Sequence, residues 1–179
     1  MALPAGSVSV MRGSAKRKAT DMQSGIFKVQ AQERIVFGTP APDAVVAEAE
    51  HYGADRVFVT STKSLAALTD GPLQRVEQAL GSRHAGTFSA IASHSPREDV
   101  IAAAAAARAA GADLLVAVGG GSVVDATKVV QLCLWKDIDS AEAMTPFAAG
   151  FERTKASNFD VPHDPVRMIA VPTTLSAAD

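Results

Sequence analysis

The sequence contains a single cysteine, Cys133, so no disulfide can form within the chain. Cys133 is set among Val129, Val130, Leu132 and Leu134, which is typical of a small buried hydrophobic residue. A chain without structural disulfides suits a reducing compartment, and we therefore expect a cytoplasmic location.

The sequence also lacks long apolar runs and a surplus of basic residues. Its most apolar windows, such as Leu114–Val118, are far shorter than the roughly 20 residues that a membrane-spanning helix needs. Lys and Arg total 17 against 19 Asp and Glu, which gives a formal net charge of -2. Because binding to nucleic acid needs a basic face, the sequence predicts no nucleic-acid partner, and it predicts no membrane span.

The residues that are present suffice for one packed domain, since 47% of the 179 residues are hydrophobic and 20% are charged. The N-terminal segment differs, because residues 1–21 carry several basic side chains and no acid before Asp21. We interpret residues 1–21 as a disordered tail, with a transit peptide or a start at Met22 as alternatives. The domain itself is expected over residues 22–179.

Short apolar runs alternate with helix-forming segments along this domain. The expected strands are Ile35–Phe37, Arg56–Thr60, Thr87–Ile91, Leu114–Val118 and Val166–Val171. The expected helices begin near Pro42, Pro72, Pro96 and Gly121 and end near His51, Gly81, Gly111 and Leu134, with Ser95 as the N-cap of the third and mainly loop over Asp137–Pro165. This alternation predicts an α/β fold, a doubly wound and mainly parallel sheet with flanking helices that is Rossmann-like. The ligand site is expected beyond the carboxyl ends of the strands.

A glycine-rich turn, Gly119-Gly120-Gly121-Ser122, joins the most apolar strand to an amphipathic helix. Glycines let the backbone approach a pyrophosphate, and the N–H groups and dipole at a helix start complement its negative charge. The turn is not the six-residue Rossmann fingerprint, because no glycine stands three residues beyond Gly121, and it is not a P-loop, because it lacks a Gly-Lys-Ser/Thr triplet. We predict phosphate binding, with a tight strand-to-helix turn as the alternative.

Two motifs in order carry a family resemblance. The glycine turn continues to Asp125 and Lys128, and Val171-Pro172-Thr173-Thr174 follows the last expected strand. Together they resemble the N-terminal dinucleotide-binding domain of the iron-containing (group III) alcohol dehydrogenases. Further likeness lies in Arg34–Gly38, Gly53–Val57 and Ala109–Asp113, and the resemblance spans residues 26–179.

The resemblance implies a NAD(P)-dependent oxidoreductase that passes hydride between nicotinamide and an alcohol, aldehyde or oxo-acid substrate, assisted by iron or zinc. The metal ligands of the family, one Asp and three His of a helical second domain, would follow the Pro-Thr-Thr element. We therefore expect this chain to hold the nucleotide-binding half without a metal ligand, to be inactive alone, and to form a homodimer when full length. Its histidines are scattered and show no i,i+4 pair.

The resemblance also assigns site residues. It implies that Gly119, Gly120, Gly121 and Ser122 hold the pyrophosphate, that Thr173 and Thr174 hydrogen-bond the nucleotide, and that Leu175 packs nearby. It implies that Asp125 faces the nicotinamide or substrate cleft as a catalytic residue. The alternative for Asp125 is an i,i+3 ion pair with Lys128 on the helix surface.

The position that decides between NAD and NADP departs from the family pattern. Many members have an Asp after the first nucleotide-side strand, where it binds the ribose 2′-hydroxyl, and this chain has Ser61. Ser61 with Lys63 could accept a 2′-phosphate that an acid would repel, so both NAD and NADP are open. The alternative is an ordinary polar loop.

The branch of the family is open as well. His94-Ser95-Pro96 and the ending Thr174–Asp179 resemble the maleylacetate reductase branch, whereas Asp125 is typical of the alcohol dehydrogenases. A hypothesis from another class is a non-catalytic nucleotide-binding module.

Overall fold

The computed structural model describes residues 33–148 and 162–175. The chain divides into two units, Met1–Ile35 and Val36–Asp179. Of the first unit only residues 33–35 are described, and they have no regular secondary structure. The predicted tail over residues 1–21 lies outside the described residues, so its interpretation stays a prediction. The architecture below is that of the second unit.

Four parallel strands form one sheet within the described residues, in the order β2-β1-β3-β4. The strands are β1 (Val57–Thr60), β2 (His84–Phe88), β3 (Leu114–Gly119) and β4 (Arg167–Pro172). The helices are α1 (Ala41–His51), α2 (Lys63–Ala66), α3 (Pro72–Leu80), α4 (Arg97–Ala109) and α5 (Gly121–Lys136), with 3-10 turns at Gly81–Arg83 and Thr145–Phe147. The predicted α/β fold class is confirmed.

The two inner strands, β1 and β3, are buried along their whole length. Alternate side chains of β3 point to opposite faces, as in any strand. Leu115 and Ala117 join a core with α4 and α5, while Leu114, Val116 and Val118 join a second core with α1 and α3. Both faces of β3 are therefore covered by helices, and this explains why its sequence is an uninterrupted apolar run.

The alanines of α4 allow it to pack closely against α5, since Ala103, Ala104 and Ala107 have no exposed surface. Cys133 of α5 lies in the same core and forms no disulfide. Burial raises the pKa of the Cys133 thiol, and the nearby Arg108 charge lowers it by a smaller amount. The thiol thus stays protonated and serves as a small hydrophobic group, as predicted from its neighbours.

Most predicted elements are confirmed with small shifts, and two are wrong. The strand expected at Ile35–Phe37 is absent from the described residues, where these side chains are exposed by 73%, 47% and 89%, because no described strand pairs with them. The strand expected at Thr87–Ile91 lies three residues earlier, as β2. Ile91 is buried but follows the strand, and its N–H donates to the Ser61 carbonyl instead of to a ladder partner.

The expected N-cap of α4 is also wrong. Pro96 occupies the cap position without a side-chain hydrogen bond, and the Ser95 hydroxyl donates to the Ser122 carbonyl at 2.7 Å. Helix α2, capped by Thr62, is too short to give a periodic apolar pattern and was not expected. No helix among the described residues is long and apolar enough to cross a bilayer.

Candidate functional site

The carboxyl ends of the four strands lie along one edge of the sheet, and a groove of about 280 Å³ runs there. It is lined by residues that follow each strand: Thr62, Ala92, Ser93, Gly120, Gly121, Ser122, Val123 and Thr174. A second groove of about 350 Å³ adjoins it, lined by Thr62, Lys63, Ser64, Ala90, Ile91, Ala92 and Ser93. Thr62, Ala92 and Ser93 line both grooves. The carboxyl edge is the position expected for a ligand in a parallel α/β sheet.

The glycine turn forms the floor of the first groove. Strand β3 ends at Gly119, Gly120 is the N-cap, and α5 begins at Gly121. The N–H groups of Val123 and Val124 donate to the Gly120 carbonyl at 2.9 and 3.2 Å. The earlier N–H groups of a helix have no intrahelical acceptor, and they carry the positive end of the helix dipole. This geometry is suited to an anion held by main-chain donors.

Space restricts two of the glycines to different degrees, since a Cβ at Gly119 would meet the buried Val123 and a Cβ at Gly120 would meet the side chain of the exposed Thr174. A Cβ at Gly119 would lie 2.5 Å from Val123 Cγ2, and one at Gly120 would lie 2.8 Å from Thr174 Oγ1. The Thr173 N–H donates to the Gly119 carbonyl at 2.9 Å. The glycine turn and the Pro-Thr-Thr element are therefore in direct contact, although β3 and β4 are far apart in sequence.

Replacing Gly119 by alanine should destabilise the fold by about 1–3 kcal/mol, because Val123 lies in the first turn of α5 and is buried. Gly120→Ala is the matched control. Its methyl group meets the side chain of the exposed Thr174, which can rotate away, so we expect a smaller loss. Urea unfolding of both variants measures the difference. Equal losses would mean that Val123 gives way as readily as Thr174.

Ser122 contacts the loop after β2 as well as the groove. Its hydroxyl oxygen accepts from the His94 N–H at 3.2 Å, and its carbonyl accepts from the Ser95 hydroxyl at 2.7 Å. The hydroxyl proton of Ser122 is not used by the His94 contact, in which Ser122 is the acceptor. Ser122 can therefore hold the loop and still donate toward the groove.

The interpretation of Ser61 as a phosphate-binding hydroxyl needs correction. Ser61 has no exposed surface, and its hydroxyl donates to the Val118 carbonyl at 2.8 Å, so it ties β1 to β3 from inside the sheet. Lys63 lines the second groove, and its role in phosphate binding stays a prediction. Thr62 lines both grooves, accepts from the Leu65 N–H, and lies 2.9 Å from the Ser64 hydroxyl. Lys63, unlike Ser61, is placed where a ligand in this groove could be reached.

Asp125 lies on the exposed face of α5 and lines neither groove. Its Oδ1 is 4.0 Å from Lys128 Nζ, and the two side chains are 60% and 43% exposed. The ion pair proposed as the alternative is thus present, and a catalytic role for Asp125 stays a prediction. Leu175 is fully exposed, so its packing against a cofactor stays a prediction as well.

Sequence reasoning missed the groove residues contributed by β1 and β2, namely Thr62, Ala92 and Ser93. Their position in the sequence could have identified them, since each follows a strand whose carboxyl end was expected at the site. It also missed a buried hydroxyl chain, in which Thr60 Oγ1 lies 2.6 Å from Thr127 Oγ1 and the Thr127 hydroxyl donates to the Val123 carbonyl at 2.7 Å. These hydrogen-bonded hydroxyls connect β1 to the first turns of α5.

The part of the chain that the structure describes was expected to hold no metal ligand. Across residues 33–148 and 162–175, no group of three or more His, Cys, Asp or Glu side chains is placed to hold a metal ion. The metal assistance that the resemblance implies for the full-length protein stays a prediction.

These features define a parallel α/β domain with a glycine-rich strand-to-helix turn at the carboxyl edge of its sheet. The chain belongs to the iron-containing alcohol dehydrogenase family, whose model matches residues 32–179.

Individual relatives agree with this assignment. A dehydrogenase of Gibberella moniliformis is 30% identical over 148 residues, which cover 81% of this chain and 34% of that protein. Maleylacetate reductase 2 of Cupriavidus pinatubonensis is 41% identical over 99 residues, 55% of this chain and 26% of that protein. The crystal structure of maleylacetate reductase from Agrobacterium tumefaciens matches with a TM-score of 0.53 and 35% identity, over 62% of this chain and 30% of that one. The chain thus spans about a third or less of the length of these relatives.

Proposed function

We propose that this chain is the dinucleotide-binding part of an NAD(P)-dependent oxidoreductase, with the pyrophosphate held over the glycine turn. The observation that carries the proposal is the contact between the two motifs. A Cβ at Gly120 would lie 2.8 Å from Thr174 Oγ1, and the groove that the two motifs line lies at the N-terminus of α5. Membership of the iron-containing alcohol dehydrogenase family supports the same assignment.

In the proposed complex, main-chain N–H groups at the start of α5 donate to the pyrophosphate, and the Ser122 and Thr174 hydroxyls add side-chain contacts. The second groove, on the β1 and β2 side, would take the adenosine end near Lys63 and Ser64. Bound nicotinamide supplies hydride donation or acceptance at one ring carbon. The role of this chain is to bind and orient the dinucleotide.

The reaction proposed for the full-length protein is hydride transfer between nicotinamide and an alcohol or aldehyde. The described residues contain no ligand set for the expected metal, so we derive no step from it. The second candidate is maleylacetate reduction, which the identities of 41% and 35% to two maleylacetate reductases favour. Oxidation of NADH or NADPH by the full-length protein, with maleylacetate compared against simple aldehydes, separates the two candidates.

Calorimetric titration of the chain with NADH and NADPH tests the proposal. We expect saturable binding of at least one dinucleotide and a rise in the unfolding temperature with its concentration. Nicotinamide mononucleotide is the control ligand, since it lacks the pyrophosphate bridge and the adenosine, and it should bind much more weakly. Absence of saturable heat with both dinucleotides would contradict the proposal.

Lys63→Gln should lower the affinity for NADPH about five- to tenfold and leave that for NADH nearly unchanged, because Lys63 lines the groove proposed for the ribose end. Lys136→Gln, at the far end of α5, removes the same charge away from the groove and is the matched control. Competition titrations of the two dinucleotides measure the ratio. A parallel loss for both would place Lys63 elsewhere on the ligand.

A further inference from the structure

We propose that Ser95 and Ser122 form a clamp that fixes the loop Ala92–Ser95 as one wall of the dinucleotide groove, which makes both serines positioning residues. The inference rests on the proposed dinucleotide binding. It concerns a contact between the loop after β2 and the first turn of α5, and the sequence patterns did not indicate this contact.

The loop holds a backbone shape that its own residues do not favour. His94 and Ser95 have φ angles of +64° and +49°, a left-handed conformation that residues with a Cβ rarely adopt, and here two of them are consecutive. The Ser95 N–H donates to the Ala92 carbonyl at 3.2 Å, which closes a turn with His94 at its third position. A positive φ at that position of a turn favours glycine or asparagine. Contacts outside the loop must therefore impose its shape.

Ser122 supplies two of those contacts. Its hydroxyl oxygen accepts from the His94 N–H at 3.2 Å, and its carbonyl accepts from the Ser95 hydroxyl at 2.7 Å. A third contact fixes the other end of the loop, where Asp99 Oδ2 accepts from the Ala92 N–H at 2.9 Å. The two strained residues are thus held by Ser122, the last residue of the glycine turn.

The clamped loop forms part of the ligand surface. Ala92 and Ser93 line both grooves, the first together with the glycine turn and the second together with Lys63. Ser95 lines neither groove, so it acts on a ligand only through the position of the loop. A hydroxyl that accepts from an N–H becomes a better donor, so the His94 contact also orients and strengthens the Ser122 hydroxyl toward phosphate.

Two substitutions at Ser95 separate strain from hydrogen bonding. Ser95→Ala removes the hydroxyl and keeps the strained backbone, whereas Ser95→Gly removes the hydroxyl and adopts a φ of +49° without steric cost. We expect Ser95→Ala to raise the Kd for the preferred dinucleotide about five- to tenfold and Ser95→Gly to raise it less. Ser82→Ala, on the exposed turn before β2, should leave the Kd unchanged.

A double-mutant cycle with Ser122→Ala tests whether the two serines act as one unit. Ser122→Ala removes the acceptor of the His94 N–H and keeps the carbonyl that accepts from Ser95. Because the clamp needs both contacts to hold the loop, the double variant should raise Kd no more than Ser122→Ala alone. Unfolding temperatures, measured in parallel, identify any variant that loses binding because it unfolds. A purely structural role would lower the unfolding temperature and leave Kd unchanged at temperatures where the variant is folded. An unchanged Kd in Ser95→Ala, or Kd effects that multiply in the double variant, would overturn the clamp.

Failure of the proposed function would show separately, as no dinucleotide binding by the unaltered chain. The clamp is then tested without ligand by amide hydrogen exchange at His94. Its N–H should exchange faster in Ser95→Ala than in the unaltered chain, although Ser95→Ala leaves its acceptor on Ser122 intact. Equal exchange rates would overturn the clamp.

Discussion

Replacing Gly120 by aspartate should weaken NADH and NADPH binding by roughly 100-fold, about 2.7 kcal/mol, while leaving the fold intact. Gly120 is the N-cap of α5, with an extended backbone at φ -79° and ψ -173°. Aspartate is among the best N-cap residues, because its carboxylate accepts from the N–H groups of the first turn. These are the donors proposed for the pyrophosphate. The variant would therefore satisfy the helix with its own side chain and close the site to the ligand.

The size of this effect follows from charge and from lost donors. A unit charge about 4 Å from another costs about 1 kcal/mol even in bulk water, and the pyrophosphate carries two. Each hydrogen bond that the ligand loses adds about 1 kcal/mol. The Cβ contact with Thr174 Oγ1 at 2.8 Å is cheaper to relieve, since a threonine side chain can rotate.

Two matched variants separate the causes in the calorimetric titration. Gly120→Asn has the same shape without the charge and should bind more tightly than Gly120→Asp. Ser82→Asp adds the same charge at the opposite edge of the sheet, before β2 begins, and should bind as the unaltered chain does. Tight binding by Gly120→Asp would place the dinucleotide away from the glycine turn. An unfolding temperature equal to or above that of the unaltered chain would show that lost binding is not lost folding.

The inner sheet could be predicted from sequence because its signals are local. Residues Leu114–Gly119 must be apolar on both faces, and the glycine turn that follows consists of residues that are consecutive in the sequence. The same holds for α4, where the alanine run and the left-handed Gly111 mark the body and the end of the helix. Elements of this kind depend little on partners that are distant in sequence.

The errors arose where a residue's role depends on a distant partner. Ser61 and Ser95 are both polar and both lie in loops, and sequence reasoning assigned one to a ligand and the other to a helix cap. Ser61 instead donates to Val118 and Ser95 to Ser122, contacts that depend on how the strands and helices assemble. Hydroxyl groups satisfy nearby donors and acceptors of many kinds, so their sequence position alone did not identify these partners.

The site was predictable where it consists of main chain and unpredictable where it consists of side chains. Gly119 and Gly120 were identified because a glycine-rich turn after an apolar strand is a local pattern, and the structure places both at the end of β3. Asp125 was assigned by resemblance, yet its carboxylate lies on the exposed face of α5 beside Lys128. The difference is physical. A run of glycines marks a turn from local sequence alone, because residues without a Cβ permit close approach of the backbone. The role of an exposed carboxylate depends instead on which groups lie opposite it.

Leu115→Ala should lower the free energy of unfolding by about 2–5 kcal/mol, because Leu115 is fully buried in the middle of the sheet and packs toward α4 and α5. Leu68→Ala is the matched control: the same atoms are removed from a side chain that is 48% exposed, and the loss should stay below about 1 kcal/mol. Urea unfolding gives both free energies of unfolding, provided that the dependence of the free energy on urea concentration is the same in the two variants. Strand β3 leads directly into the glycine turn, so Leu115→Ala should also weaken dinucleotide binding while Leu68→Ala does not. Equal losses of stability in the two variants would remove Leu115 from the core that positions the site.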